Sequence, residues 1–378
     1  MNIALFCHSL ISDWNHGNAH FLRGMATELI ERGHQVNVYE PRSAWSRENL
    51  VRDYGTGPLT EFNSFYPRLS SIRYDLGTLD IDRVLAGIDL VLVHEWNDRE
   101  LVRRIGEYRR RSPGCRILFH DTHHRAATSP HEMERYDLSR YDGVLAFGEC
   151  IRDLYLERGW IKQAWVLHEA ADTRIFHPIR KNRKSGDLVW IGNWGDEERT
   201  AEYEEFLIEP AAELGLRTAM YGVRYPAEAV RRLARAGIEY RGWTPNFRVP
   251  QIFADFRVTV HIPRRPYAEA LPGIPTIRPF EAMACGIPLI STPWHDTGNL
   301  FEAGVDFLVA QNGREMKAHL RRIVTDPGFA SDMAGHALRT ILARHTCAHR
   351  VDELLSICRE LNLNVETVGP EIPARAAQ

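Results

Sequence analysis

Short, almost wholly apolar runs of β-prone residues alternate along this chain with amphipathic segments. That alternation limits the possible folds more than any other feature. "NIALFCH" at 2–8 opens the series. "NAHFLRGMATELIERGH" follows, with Phe21, Leu22, Met25 and Leu29 at helical spacing and Gly33 placed to end the helix. Then come "QVNVYE", "DLVLVHEW", "RILFHD", "GVLAF" and "AWVLHE". A strand with one wet face alternates in polarity, whereas a strand covered on both faces does not. These runs are apolar through their centres, so helices must cover both faces. The expectation is an α/β protein built on doubly wound, Rossmann-like parallel sheets.

The alternation breaks once. "HPIRKNRKSGD" at 177–187 is basic, polar and aperiodic, and reads as a linker. The series resumes with "LVWIG", "RTAMYG", "IEYRGW", "VTVHIP", "IPLIST" and "DFLVA", and 314–361 is mostly helical in pattern. With 378 residues the chain exceeds one ordinary core. Two domains are expected, 1–176 and 188–345. Ligands of open α/β sheets bind beyond the carboxyl ends of the strands, so the site belongs in the cleft between the domains.

Composition narrows the partners. A formal net charge of -3 asks for no nucleic acid. Six well-separated cysteines with no C-x-x-C exclude a disulfide framework and a zinc ribbon, and they suit a reduced, cytoplasmic compartment. The N-terminus lacks a basic region and a cleavage site and reads as a first strand. No apolar stretch approaches the roughly 20 residues of a membrane-spanning helix.

The segment "PGIPTIRPFEAMACGIPLIST" at 272–292 carries the densest chemistry. It reads as turn, helix, turn and buried strand. Thr276 stands at the N-cap position, and Phe280, Met283 and Ala284 share an apolar face. Gly273 and Ile274 lie in a stiff turn that lets backbone approach a ligand. A helix start attracts anions, and Arg278 adds a fork of donors suited to phosphate. Glu281, three residues on, suits a pair of sugar hydroxyls. The alternative is a surface ion pair between Arg278 and Glu281.

This segment resembles the nucleotide-sugar site of GT-B-fold glycosyltransferases of the group-1 type. The resemblance implies that Glu281 binds the ribose. "RILFHD" is similar to that family's strand ending in an active-site histidine, which implies His120. "HEAADTRIFHP" keeps Asp172 and Phe176 but has Glu169-Ala170-Ala171 where Asn-Gly is usual. "YRGWTPNFRVPQIFADFRVTVHIP" implies that Gly242 and Trp243 meet the base. "RHTCAHRVDELLSICREL" resembles the closing helix, implying a return of 346–362 to the first domain and a frayed tail at 363–378. Two departures stand out. Gly273 replaces a first glutamate, and "IGNWGDEERTAEYEEF" lacks the usual arginine and lysine. Both are similar to the spore-maturation CgeB-like branch and imply Gly192, Asn193 and Arg199 at the donor.

Other candidates are weighed against plainer roles. The polar first loop, "HSLISDWNHGNAHFLRG", offers His16, Gly17, Asn18 and His20 to the acceptor side, or Asn18 as a simple N-cap. "FHDTHH" lacks the spacing of a metal site, and the D-x-D of Asp80 and Asp82 suits a helix start. "RELVRRIGEYRRR" sets Arg103, Arg104, Arg109, Arg110 and Arg111 around a helix, either as a peripheral contact with anionic membrane or as a solvated face.

The resulting expectation is a glycosyltransferase that moves a sugar from a nucleoside-diphosphate donor, without cofactor or metal, with retention of configuration. A nucleotide-sugar epimerase of the same fold and a non-catalytic nucleotide-sugar-binding subunit are the alternatives.

Overall fold

The computed structural model describes residues 1–366. Its first sheet contains seven strands: β1 (Asn2–Phe6), β2 (Gln35–Pro41), β3 (Ser71–Tyr74), β4 (Leu90–His94), β5 (Arg116–Asp121), β6 (Gly143–Ala146) and β7 (Ala164–Val166). Their order is β3-β2-β1-β4-β5-β6-β7, and every pairing is parallel. The second sheet contains β8 (Leu188–Ile191), β9 (Thr218–Tyr221), β10 (Glu239–Tyr240), β11 (Val258–His261), β12 (Leu289–Ser291) and β13 (Leu308–Val309). Its order is β10-β9-β8-β11-β12-β13, again parallel. The chain order reverses beside β1 and beside β8, so each sheet has a switch point where a crevice opens.

The expected strands are all present, and the central ones are apolar runs that only a doubly covered sheet can bury, whereas β7 and β10 at the sheet edges are only partly buried. β4, for example, is buried along its whole length. The edge strand β3 has no counterpart in the sequence reading. Its "SIRY" is half polar, and Ile72 is left exposed. The helix Ala19–Glu31 buries Phe21, Leu22, Met25 and Leu29 as expected, and Gly33 ends it at φ 85°.

Three apolar layers result. One lies on the far face of each sheet. The third runs between the domains and joins Phe21, Phe176, Phe247, Phe280 and Val351 in one continuous cluster. The closing helix Cys347–Glu360 starts at a capping box on Thr346 and packs on the first domain. Arg32 pairs with Asp352, Trp165 donates to Glu360, and Arg116 donates to the Leu361 carbonyl. The irregular segment 177–187 lies along the second domain, where Lys181 pairs with Asp255 at 2.6 Å. From residue 367 onward, the tail expected over 363–378 lies outside the described residues. No described helix is long and apolar enough to cross a membrane.

Candidate active site

A cleft of about 900 Å3 separates the carboxyl ends of the two sheets. The second domain supplies one wall. After β8 the chain turns through Gly192 and Asn193 to Arg199, and all three line the cleft. Gly222, at φ 149°, lets the next loop press against this turn: a Cβ there would lie 1.8 Å from the Gly192 carbonyl oxygen.

Arg199 is only 8% exposed. Nη1 donates to Ile262 O at 2.8 Å, and Nη2 donates to Asn193 O at 2.7 Å and Asn193 Oδ1 at 2.8 Å. Its guanidinium lies 5.1 Å from the Trp190 ring centre. All these partners are neutral, and among the described residues no carboxylate pairs with Arg199. A buried cation that faces a cleft without a counter-charge is costly unless an anion arrives.

The helix Ile277–Ala284 aims its start at the same place. Thr276 occupies the N-cap position without capping the helix. Its hydroxyl instead lies 3.1 Å from His261 Nε2, while His261 Nδ1 lies 2.9 Å from Ser291 Oγ. Ser291 Oγ donates to Thr292 O, so it must accept from His261 Nδ1–H, which leaves the ring's Nε2 facing the Thr276 hydroxyl. Burial, together with the positive fields of Arg199 and Arg278, pushes the His261 pKa down to about 3. Both arginines thus lie near His261, the last residue of β11, whose ring meets the helix start through Thr276.

Arg278 lines the cleft and forms an ion pair with Glu281. Glu281 itself has no exposed surface. Its Oε1 accepts from His20 Nδ1 at 2.7 Å and from Asn246 Nδ2 at 2.7 Å. Burial pushes this carboxyl up, but Arg278, His20 and Asn246 outweigh it, and the pKa lies below the ordinary value.

The first domain supplies the opposite wall. Arg23, fully buried, shapes its first loop by donating to Leu10 O, Ile11 O and Asp13. His16, Gly17 and Asn18 line the cleft, together with Thr122, His123 and Glu169. Asn18 does not cap the helix; its amide donates to Thr122. His16 Nε2 has no protein partner, and burial, followed by the field of His8, holds the ring well below the ordinary imidazole pKa.

Residues 199–356 match the model of a family described as glycosyl transferase-like. The match covers less than half of the chain and lies mainly in the second domain. Solved structures resemble the whole chain. A sucrose-phosphate synthase from Thermosynechococcus elongatus is 14% identical over 96% of this chain and 99% of its own, with a TM-score of 0.63. Anabaena HepE in complex with UDP and glucose is 14% identical over 95% and 100%, with a TM-score of 0.65. The T4 phage BGT in complex with UDP and Mn2+ is 12% identical over 96% and 100%, with a TM-score of 0.60. At these identities the likeness is one of fold, and that fold is GT-B. No curated protein matches the chain in sequence.

Within the second domain, Gly192, Asn193, Arg199, Trp243, Thr276 and Arg278 line the cleft. Four expected residues do not line it. Gly242, at φ 71°, gives its carbonyl to Gly222 N. Gly273, at φ 83°, is locked against Thr297, whose Oγ1 would lie 2.3 Å from an added Cβ. Ile274 packs into the first domain's core beside Gly148. Glu281, expected at the ribose, is enclosed by His20, Asn246 and Arg278.

The first domain needs two corrections. His20 lies outside the cleft and is fully buried, because its position on the first helix points it between the domains. His120, expected at the donor sugar, is buried against His94 and Phe21, since strand alternation turns it toward the helix layer. Burial, then His94, keeps its pKa well below the ordinary value.

The arginine-rich helix Arg99–Arg111 offers little free charge. Arg103 pairs with Glu100 and Glu107, Arg109 pairs with Asp142, and Arg111 pairs with Asp82. Arg104 donates to Leu76 O and Leu79 O. Asp80 caps a helix start by accepting from Arg83 N at 3.1 Å. Among the described residues no group of three or more His, Cys, Asp and Glu side chains is placed to hold a metal ion. Sequence reasoning missed Asn246, Thr122 and Glu169 as site residues. The one available signal was the unusual Glu169-Ala170-Ala171.

Proposed function

We propose that this protein is a glycosyltransferase that takes a sugar from a nucleoside-diphosphate donor bound to the second domain. The observation that carries this reading is the pair Arg199 and Arg278 at one helix start, with Arg199 buried and lacking a carboxylate partner. Two guanidinium forks and the helix-start amides form a seat for a diphosphate. Trp243, on the same wall, offers a flat face to the base.

In the reaction, the bond between the anomeric carbon and the β-phosphate oxygen breaks, and the phosphate keeps the electron pair. Arg199 and Arg278 oppose the charge that grows there. The acceptor hydroxyl, held near His16 to Asn18, forms the new bond, and its proton passes to the leaving diphosphate. Two fixed cations provide charge compensation that a metal would otherwise supply, which supports a metal-independent reaction. The resemblance of the helix-start segment to retaining enzymes favours retention, and the departures at Gly273 and Arg199 favour the CgeB-like branch. Glu281 serves by orienting Arg278.

Thermal denaturation with UDP, GDP and ADP tests the reading. A ligand bound only by the folded state raises the melting temperature by mass action. At least one diphosphate raises it, and the matching sugar nucleotide is consumed only when an acceptor is present. Consumption without acceptor, giving an isomeric sugar nucleotide, would assign an epimerase instead.

A further inference from the structure

One buried carboxyl on the cleft has no role in the account above. Glu169 follows β7 in the segment that joins the domains. It is 4% exposed and lines the cleft, and its Oε1 has no hydrogen-bond partner. Other buried carboxylates each have at least one protein partner. Asp172 pairs with Arg174, Asp121 accepts from Tyr155 and His123 N, and Glu95 accepts from Thr122 and pairs with His94.

The backbone around Glu169 is pinned. His168 O accepts from Arg350 Nε at 3.0 Å, Ala171 N donates to His345 O at 3.0 Å, and Asp172 N donates to His20 Nε2 at 2.8 Å. The segment that carries Glu169 is therefore fixed beside the cleft, with its carboxyl buried there.

A buried polar atom without a protein partner, facing a ligand cleft, is matched by the ligand. Phosphate is the wrong match, because the anion seat lies at Arg199 and Arg278 and a carboxyl offers an anion no positive charge. Burial, with the fields of Glu281 and Glu95, pushes the Glu169 carboxyl well above the usual range. When protonated, it both donates and accepts. A ring hydroxyl also does both.

We propose that Glu169 is a ligand for a hydroxyl of the transferred sugar and so helps decide which sugars the cleft accepts. This role rests on the nucleotide-sugar reading above. Glutamine reproduces a neutral carboxyl by offering one donor and one acceptor, whereas alanine offers neither.

The test is calorimetric titration of the full chain, as wild type, Glu169→Gln and Glu169→Ala. The probes are UDP, GDP and ADP, each set against UDP-glucose, GDP-mannose and ADP-glucose. Glu169→Ala should bind the free diphosphate as wild type does but lose about tenfold in affinity for the sugar nucleotide. Glu169→Gln should stay within about threefold of wild type for both. Glu169→Gln should melt no lower than wild type at pH 7, since Oε1 has no protein partner to lose and a raised carboxyl pKa costs stability there. Unchanged sugar-nucleotide affinity in Glu169→Ala overturns the proposal. Equal losses for diphosphate and sugar nucleotide do so too, placing Glu169 at the nucleotide or the hinge. A loss in Glu169→Gln as large as in Glu169→Ala would show that the partner needs a charged carboxylate. A wild type that binds none of the three diphosphates would instead refute the nucleotide-sugar reading itself, before any substitution is made.

Discussion

His20 Nδ1 donates to Glu281 Oε1 at 2.7 Å, and this bond joins the first helix of one domain to the site helix of the other. Asp172 N donates to His20 Nε2, so Nδ1 must carry the ring proton. The imidazole stacks on Phe176, with ring centres 4.0 Å apart. Three segments far apart in sequence meet at one histidine, and Arg278 projects from that junction into the cleft.

Replacing His20 with alanine leaves the Asp172 amide without its acceptor and Glu281 with one donor fewer. Both groups are buried, so the loss should be about 2 kcal/mol. Urea denaturation of His20→Ala measures it, and a wild-type midpoint would show that the contact contributes nothing.

The Glu281 carboxyl gives a pH test. Its folded pKa lies below the ordinary value of 4.5, against the pull of burial and because of Arg278, His20 and Asn246. A depressed folded pKa contributes stability that is present above the unfolded pKa and lost as pH falls through the folded one. Glu281→Gln should therefore be less stable than wild type at pH 7, by about 2 kcal/mol. That gap should narrow as the pH drops below 4.5. A gap independent of pH would show that the charge of Glu281 is not what matters.

Arg278→Ala should lower kcat about a hundredfold and also weaken donor binding, because its charge opposes one that grows as the donor bond breaks. Arg278→Lys should recover only part of this, since an ammonium keeps the charge but loses the fork. Steady-state kinetics of both variants decide the matter. Normal kcat in Arg278→Ala would leave Arg199 and the helix-start amides as the diphosphate ligands.

Removal of divalent ions with EDTA should leave turnover nearly intact. If turnover instead requires manganese or magnesium, the two arginines do not suffice, and a metal joins the diphosphate during the reaction.

Contacts across the cleft predict a closed, liganded form. Asn193 Nδ2 donates to Asn15 Oδ1 at 2.5 Å, Trp243 N donates to the Tyr54 hydroxyl at 3.2 Å, and Asn246 N donates to Asp13 Oδ2 at 3.0 Å. Small-angle scattering should show a smaller radius of gyration with a bound nucleoside diphosphate than without. Identical curves would mean that the cleft is closed before the ligand arrives.

The sheets were legible in the sequence for a simple reason. A strand buried on both faces must be apolar throughout, and twelve short segments had to fit one alternating scheme. β3 escaped because an edge strand with one wet side needs no such pattern. Arg278 and Arg199 were legible too. One stands beside a helix start, the other in a turn after a strand, and both placements follow from local structure.

What the sequence determined by itself was therefore local: which segments are strands and helices, and which loops follow the strand ends. The tertiary structure alone decided which side chains face ligand and which face protein. His120 turned to the helix layer by strand alternation, and His20 turned between the domains by its place on the helix. Glu281 was enclosed by partners that include one 261 residues away. Glu169 was left without a protein partner, in a segment held to distant elements at His168 O, Ala171 N and Asp172 N. Each of these outcomes depends on packing between domains, where a group's partner comes from distant sequence and the cost of burial decides whether it stays.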